Sequence, residues 1–371
     1  MSENKKKRKG LRIVLTTIIS IVLVIVLVVV GYFAYLMISY SRLEDNLKID
    51  PQGETALKTV RVGETYTIVT QNLGFGAYEQ DYTFFMDGGK ESWARSEDAV
   101  KKNIGDGAAK VKENNPDFVL FQEVDFDSTR SYHIDESKLL IDAFPGYMYT
   151  TAVNYHSAFL MYPFGQPHGS SNSELMTVSR YEVKSGIRRS FPISNGLSKF
   201  LDLDRCYSKS YVDVENGKQL VLYNVHSSAY GGSDEIRNAQ MTMLFNDIAE
   251  EYKKGNYCVC GGDFNHDFTT NSKLLLNGQD DDKYGWAQPF PVNLLPADSI
   301  TQCTNYTTSN GDKPWPTCRN CDLPYEEGNF TIIVDGFLVT KNVSYTTLEN
   351  QYTAFTYSDH CPVMMQFTLN A

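Results

Sequence analysis

The chain has 371 residues, 42% of them hydrophobic, and a formal net charge of −11. Without the six basic and one acidic residue of its first twelve it stands at about −16, an acidity that repels polyanions in general. That weighs slightly against a nucleic-acid partner without forbidding a local cationic cleft. No internal repeat and no low-complexity tract occurs, which excludes solenoids and linker-like chains.

Lys5, Lys6, Lys7, Arg8 and Lys9 open the chain, and Ile13 to Ser41 then carries no charged residue. A bilayer core needs about 20 apolar residues, so this run is long enough to span with tilt. A secretory signal has a shorter apolar core and a small-residue cleavage site, which only Gly31 to Ala34 leaves open. Basic flanks stay cytoplasmic. The expected order is a cytoplasmic basic tail (1–10), one transmembrane helix (11–41), a polar stalk (42–65) and an extracellular domain (66–371) at the plasma membrane.

Thr67 to Gln71 is β-branched and ends at Asn72-Leu73-Gly74, a strand running into a glycine turn. Ser92 to Asn114 has helical spacing, with Val100, Ile104, Ala108 and Val111 on one face and Pro116 closing it. Asp117 to Gln122 is a buried strand that delivers Glu123, and Glu136 to Phe144 reads as a helix. Tyr147 to Val153, Ala158 to Tyr162 and Leu175 to Val183 read as strands. Arg205 to Val214 and Gln219 to Val225 flank Asn216-Gly217, a strong hairpin signal, and the second strand ends at His226. Ser233 to Lys254 is helical. Tyr257 to Gly262 is a strand ending in Gly-Gly, followed by Asp263 and Asn265, which share one side. Residues 266–328 are irregular. Phe330 to Val334 is a strand leading to Asp335, and Asp359-His360 precedes a last strand from Pro362 to Leu369. Hairpins mixed with helical crossovers predict an α/β (α+β) fold with two packed mixed sheets and helices outside, preceded by the membrane helix.

Cys303, Cys318 and Cys321 fall in the irregular region, where a disulfide is expected outside the membrane. A zinc site there lacks a fourth ligand. Cys258, Cys260 and Cys361 read as core residues.

The polar residues at strand ends are Asn72, Glu123, His226, Asp263, Asn265, Asp335, Asp359 and His360. Oxygen ligands of this kind suit a hard cation such as Mg²⁺. Imidazoles left free of the metal can donate to phosphoryl oxygens or move protons near neutral pH. No His-x-x-x-His cluster is present, which argues against a zinc hydrolase.

Five ordered blocks carry a family resemblance. They are Thr70-Gln71-Asn72, Phe121-Gln122-Glu123-Val124, Asn224-Val225-His226, Gly262-Asp263-Phe264-Asn265 and Ser358-Asp359-His360-Cys361-Pro362-Val363, with Val334-Asp335-Gly336-Phe337 as a weaker sixth. Together, over about residues 66–369, they resemble the endonuclease/exonuclease/phosphatase superfamily, the deoxyribonuclease I-like fold. The resemblance implies a four-layered α/β sandwich. It implies Glu123 as principal Mg²⁺ ligand (Mn²⁺ as a substitute), assisted by Asn72 and Asp359. Asp263 would orient and deprotonate the attacking water, and Asn265 would hold the phosphate or the nucleophile. His226 and His360 would donate to non-bridging oxygens, with Asp335 fixing and charging His360. An acidic partner for His226 is not identifiable; Glu174 and Glu182 are candidates.

The expected function is a membrane-anchored extracellular Mg²⁺-dependent phosphoesterase working by in-line attack of water. Its substrate is a phosphodiester or phosphomonoester in nucleic acid, a lipid headgroup or a small molecule. Tyr82 to Met86 is a candidate for the exposed apolar loop that a lipid enzyme needs. Phe75 to Trp93 reads as a loop over the cleft, and 266–328 as a lid. The alternative is a non-catalytic surface-anchored binding module that kept the fold. No protein partner is inferred.

Overall fold

The computed structural model describes residues 2–200, 204–229, 233–278 and 284–371. The chain divides into two units, Met1–Ser41 and Arg42–Ala371. The first is a single helix, α1 (Ser2–Ser39). Its stretch Lys5–Ser39 is long and apolar enough to cross a membrane by length and composition.

Among the described residues, the second unit is built on thirteen strands longer than two residues. In chain order they are β1 (Leu47–Ile49), β2 (Thr65–Asn72), β3 (Phe118–Asp125), β4 (Met148–His156), β5 (Asn172–Ser179), β6 (Val183–Ser190) and β7 (Cys206–Asp213). Then follow β8 (Gln219–His226), β9 (Tyr257–Asp263), β10 (Ile300–Cys303), β11 (Asp335–Thr340), β12 (Val343–Asn350) and β13 (Val363–Leu369). They form a seven-stranded sheet, β1-β6-β7-β8-β9-β11-β10, and a six-stranded sheet, β12-β13-β2-β3-β5-β4. The main helices are α2 (Glu97–Lys112), α3 (Glu136–Ala143) and α4 (Asp234–Lys253).

Side-chain alternation explains the layering. Tyr66, Ile68, Phe118 and Leu120 point between the sheets and pack with Leu220, Leu222, Val259 and Phe337. The intervening Val69, Val119 and Phe121 face the other way, onto Val100, Ile104, Ala108 and Val111 of α2. On the second sheet, Val221, Tyr223, Cys258 and Cys260 face Met241, Leu244, Phe245 and Ile248 of α4. Three apolar layers separate four layers of secondary structure, as the motif blocks imply. Ser96 caps α2 by accepting the Ala99 N–H at 3.0 Å, with Glu97 and Asp98 in its first turn.

Each sheet contains one parallel pair joined through an outer helix: β2–α2–β3 and β8–α4–β9. The C-terminal ends of these pairs carry Asn72, Glu123, His226 and Asp263. A buried polar clamp ties the sheets together just beneath. Gln122 Nε2 donates to Asn224 Oδ1 at 2.8 Å, and Asn224 Nδ2 donates to the Phe121 carbonyl at 3.0 Å.

Several expectations need revision. Residues 42–65 are folded against the domain: β1 pairs with β6, Gln52 with Tyr149, and Val60 is fully buried between the sheets. Ala158 to Tyr162 is loop, not strand. The segment 75–93 is packed into the domain, with Phe75, Tyr78, Tyr82 and Phe84 buried in the layer under α2. Asp335 opens its strand rather than ending one. β11 runs antiparallel to β9, so its first residue lies opposite the last residue of β9, Asp335 against Asp263. All seven cysteines are buried and free.

Candidate active site

Local backbone features deliver each group. At the end of β3 the pairing to β5 slips between Phe121 and Val124, and Glu123 has φ +54°. A β-bulge with a left-handed residue turns that carboxylate out of the strand. At the end of β9, Gly262 has φ +144°, and a Cβ there would lie 2.0 Å from the Val225 carbonyl oxygen. Only glycine lets β8 and β9 close to set His226 beside Asp263.

Asp263 is the hub. Its Oδ1 accepts the Asn265 N–H at 2.9 Å, and its Oδ2 accepts the Asn72 amide at 3.1 Å. His226 Nε2 lies 3.5 Å and His360 Nε2 3.7 Å from Asp263 Oδ2. Asn72 Nδ2 also reaches Glu123 Oε1 at 3.3 Å, and His226 Nε2 lies 3.8 Å from that oxygen. His360 Nδ1 and Asp335 Oδ2 are bonded at 2.8 Å. Ser358 Oγ donates to the Asn72 carbonyl and accepts the His360 N–H, tying the last loop to β2.

Burial sets the charge states. It pushes Asp263 up to about 7, with Asp335 adding and His360 opposing. Burial disfavours charge on His360, but Asp335, Asp359 and Asp263 outweigh it and hold His360 well above its ordinary range. His226 goes the other way: burial, then the nearby positive Arg205 and His360, hold it well below and keep it neutral. Asp359 is pushed up to about 6 by burial, with Glu123 adding and His360 opposing. Carboxylates that resist ionising side by side fit a hard divalent cation, which would neutralise them. The ligand atoms of Asp263, Asp335 and His360 also lie within 4.8 Å of one another. Within that cluster the His360–Asp335 bond engages two of the three groups, and Glu123 and Asp359, which act on one another electrostatically, are further carboxylates able to hold an ion.

The sequence profile of the endonuclease/exonuclease/phosphatase family matches residues 69–360, most of the chain. The chain belongs to that family. No curated protein sequence matches it significantly. Among solved structures, the endonuclease/exonuclease/phosphatase from Beutenbergia cavernae DSM 12333 is similar with TM-score 0.54 at 17% identity, over 83% of this chain and 72% of that one. ANGEL2, a 2',3'-cyclic phosphatase in complex with adenosine-2',3'-vanadate, gives TM-score 0.54 at 14% identity, over 88% and 99%. The family protein from Bacteroides vulgatus gives 0.50 at 17%, over 83% and 100%. At such identities the likeness is one of fold.

In this family member Asn72, Glu123, His226, Asp263, Asp335 and His360 are joined by the contacts above, with Asn265 on Asp263. Asn72 turns its nitrogen to the carboxylates, while its Oδ1 accepts the Gly74 N–H at 2.9 Å. In this arrangement it positions Glu123 and Asp263. Asn265 Nδ2 is committed to the Ser227 carbonyl at 3.0 Å, which leaves its oxygen as the group able to accept from water. Glu174 does not serve His226: it accepts from Ser137 at 2.5 Å. Glu182 pairs with Lys184. His226 Nδ1 is buried without a hydrogen-bond partner among the described residues. His266 shares a 2.6 Å bond with the Phe264 carbonyl and is structural.

Sequence reasoning missed the support beneath Glu123. Arg130 makes two bonds to Asp125 at 2.8 and 2.9 Å and lies 3.8 Å over the Phe75 ring. Glu136 accepts the Asp125 N–H at 2.9 Å. Thr317 Oγ1 accepts the N–H groups of Val334 and Asp335. None of these carries a local pattern that separates it from a surface residue.

Proposed function

We propose that the protein is a membrane-anchored, extracellular, Mg²⁺-dependent phosphoesterase. The observation that carries this is the meeting of Asp263 with the His360–Asp335 pair, His226, Asn72 and Glu123, drawn from both sheets. Glu123 and Asp359 would hold the ion, which when bound supplies charge neutralisation at the phosphoryl oxygens. Asp263, fixed by Asn265 and Asn72, takes a proton from the attacking water; a base near pKa 7 suits neutral pH. His360, kept protonated by Asp335, donates from Nε2 to a non-bridging oxygen. Neutral His226 donates from its own Nε2. The water oxygen bonds to phosphorus, the P–O ester bond breaks, and the leaving alcohol takes up a proton. Positioning and charge compensation are the main demands of such a transfer. A non-catalytic module would be favoured by a missing member of the set, and none is missing.

The basic tail before the apolar helix supports an inside amino terminus and an outside domain. The test is hydrolysis of bis(p-nitrophenyl) phosphate, RNA, DNA and phospholipid by the full chain, with and without chelator. Asp263→Asn is expected to lower turnover roughly 10²- to 10⁴-fold. Undiminished turnover in that variant removes the proposed base.

A further inference from the structure

The connection between β4 and β5 carries the run Phe159-Leu160-Met161-Tyr162-Pro163-Phe164. Phe164 is 81% and Tyr162 64% exposed, and Phe159 and Met161 are exposed as well. One exposed apolar residue is ordinary; four on one loop are not. The loop is braced. Leu160 and Gly169 exchange backbone bonds at 3.0 Å, and Trp93 Nε1 donates to the Pro167 carbonyl at 2.7 Å. The rings are therefore held outward on an ordered scaffold.

The loop leaves the catalytic edge. β5 begins by pairing Ser173 with Asp125, two residues past Glu123. Ring contacts run continuously from the site to the tip: Phe75–Phe84 at 6.1 Å, Phe84–Phe85 at 4.9 Å, Phe85–Tyr162 at 5.8 Å and Tyr162–Phe164 at 6.0 Å. Phe75 follows Gly74, whose added Cβ would lie 2.8 Å from Asp359 Oδ1. The first residues of the domain are fixed at the same edge. Leu43 donates its N–H to Asp204 Oδ1 at 2.8 Å, and Arg42 donates to the Phe191 carbonyl at 2.8 Å. His156, the last residue of β4, pairs with that same Asp204. Arg42 and Leu43, the first residues of the domain, thus lie beside the base of the aromatic loop. Leu197, in the β6–β7 connection of this edge, is 65% exposed.

We propose that the Phe159–Phe164 loop inserts into the bilayer surface and that the active site hydrolyses a phosphodiester headgroup of a membrane lipid. The second half rests on the phosphoesterase reading above. Residues 157–171 contain no Lys or Arg. A groove for single-stranded nucleic acid pairs its aromatics with cations, whereas an apolar loop free of charge suits the interface of a bilayer.

The experiment uses the full chain reconstituted into phosphatidylcholine vesicles. Phe164→Trp is compared with the native chain for quenching by acyl-brominated phosphatidylcholine. Tyr162→Ser/Phe164→Ser is assayed for headgroup release from the vesicles and for hydrolysis of soluble bis(p-nitrophenyl) phosphate. The expected results are added quenching in Phe164→Trp, and headgroup release lowered roughly tenfold or more in the double variant with soluble turnover unchanged. No added quenching overturns insertion. Equal loss on both substrates overturns the role in lipid access, as does headgroup release that the double variant leaves unchanged. Native hydrolysis of RNA or the soluble ester with no headgroup release overturns the lipid substrate. Quenching needs no turnover, so if the native chain hydrolyses nothing, the phosphoesterase reading fails while insertion is still decided.

Discussion

Glu174 lies at 7% exposure on β5, accepting from Ser137, and burial pushes its pKa from 4.5 up to about 7. A native pKa above the unfolded value means that the folded chain binds the proton more tightly. Its contribution to stability is therefore full below pH 4.5 and lost as pH rises through 7. A shift of about 2.5 units corresponds to about 3.4 kcal/mol. The linkage relation places the penalty below about 1 kcal/mol at pH 5 and near 3 kcal/mol at pH 8. Glu174→Gln keeps an oxygen for the Ser137 hydroxyl and removes the charge. The variant should match the native chain within about 1 kcal/mol at pH 5 and exceed it by about 3 kcal/mol at pH 8. Urea unfolding in detergent at both pH values measures this. An equal difference at both, or none at pH 8, refutes the assignment of the penalty to this carboxylate. Turnover supplies an independent check. Because Glu174 does not contact His226, kcat/KM should be unchanged, and a tenfold fall would return Glu174 to the role of imidazole partner.

Asp335→Asn removes the charge that holds His360; kcat/KM should fall about 10²-fold, while far-ultraviolet circular dichroism stays native. Gly262→Ala drives a methyl against the Val225 carbonyl oxygen, so unfolding free energy should drop by about 3 kcal/mol and activity vanish with it; a stable, active variant would show that the β8–β9 register tolerates a side chain there. Chelation should abolish hydrolysis. Mg²⁺ at 100 times its Kd should raise unfolding free energy by about 2.7 kcal/mol, and Glu123→Gln should lose most of that gain, read by thermal shift without substrate.

Strand ends were legible because apolar runs stop abruptly at polar residues, as at Gln122-Glu123 and Gly262-Asp263. The helix face of Val100, Ile104, Ala108 and Val111 was legible from its spacing. Ala158 to Tyr162 was read as a strand but is loop, because short apolar runs look alike whether they face a core or solvent. Tyr82 to Met86 was read as exposed for the same reason, yet Tyr82 and Phe84 are buried beneath α2. Val60 gave no sign, within a polar segment, that it belongs between the sheets.

By itself the sequence determined the chemical inventory. Acids, amides and imidazoles are recorded residue by residue, and the period of apolar positions reports which face of an element is buried. Tertiary structure alone decided their charge states and partners. Asp263 near pKa 7, a neutral His226 and a charged His360 arise from burial and from neighbours scores of residues away. Desolvation and Coulomb forces act through space, so they exist only once β3, β8, β9 and β11 have brought their ends together.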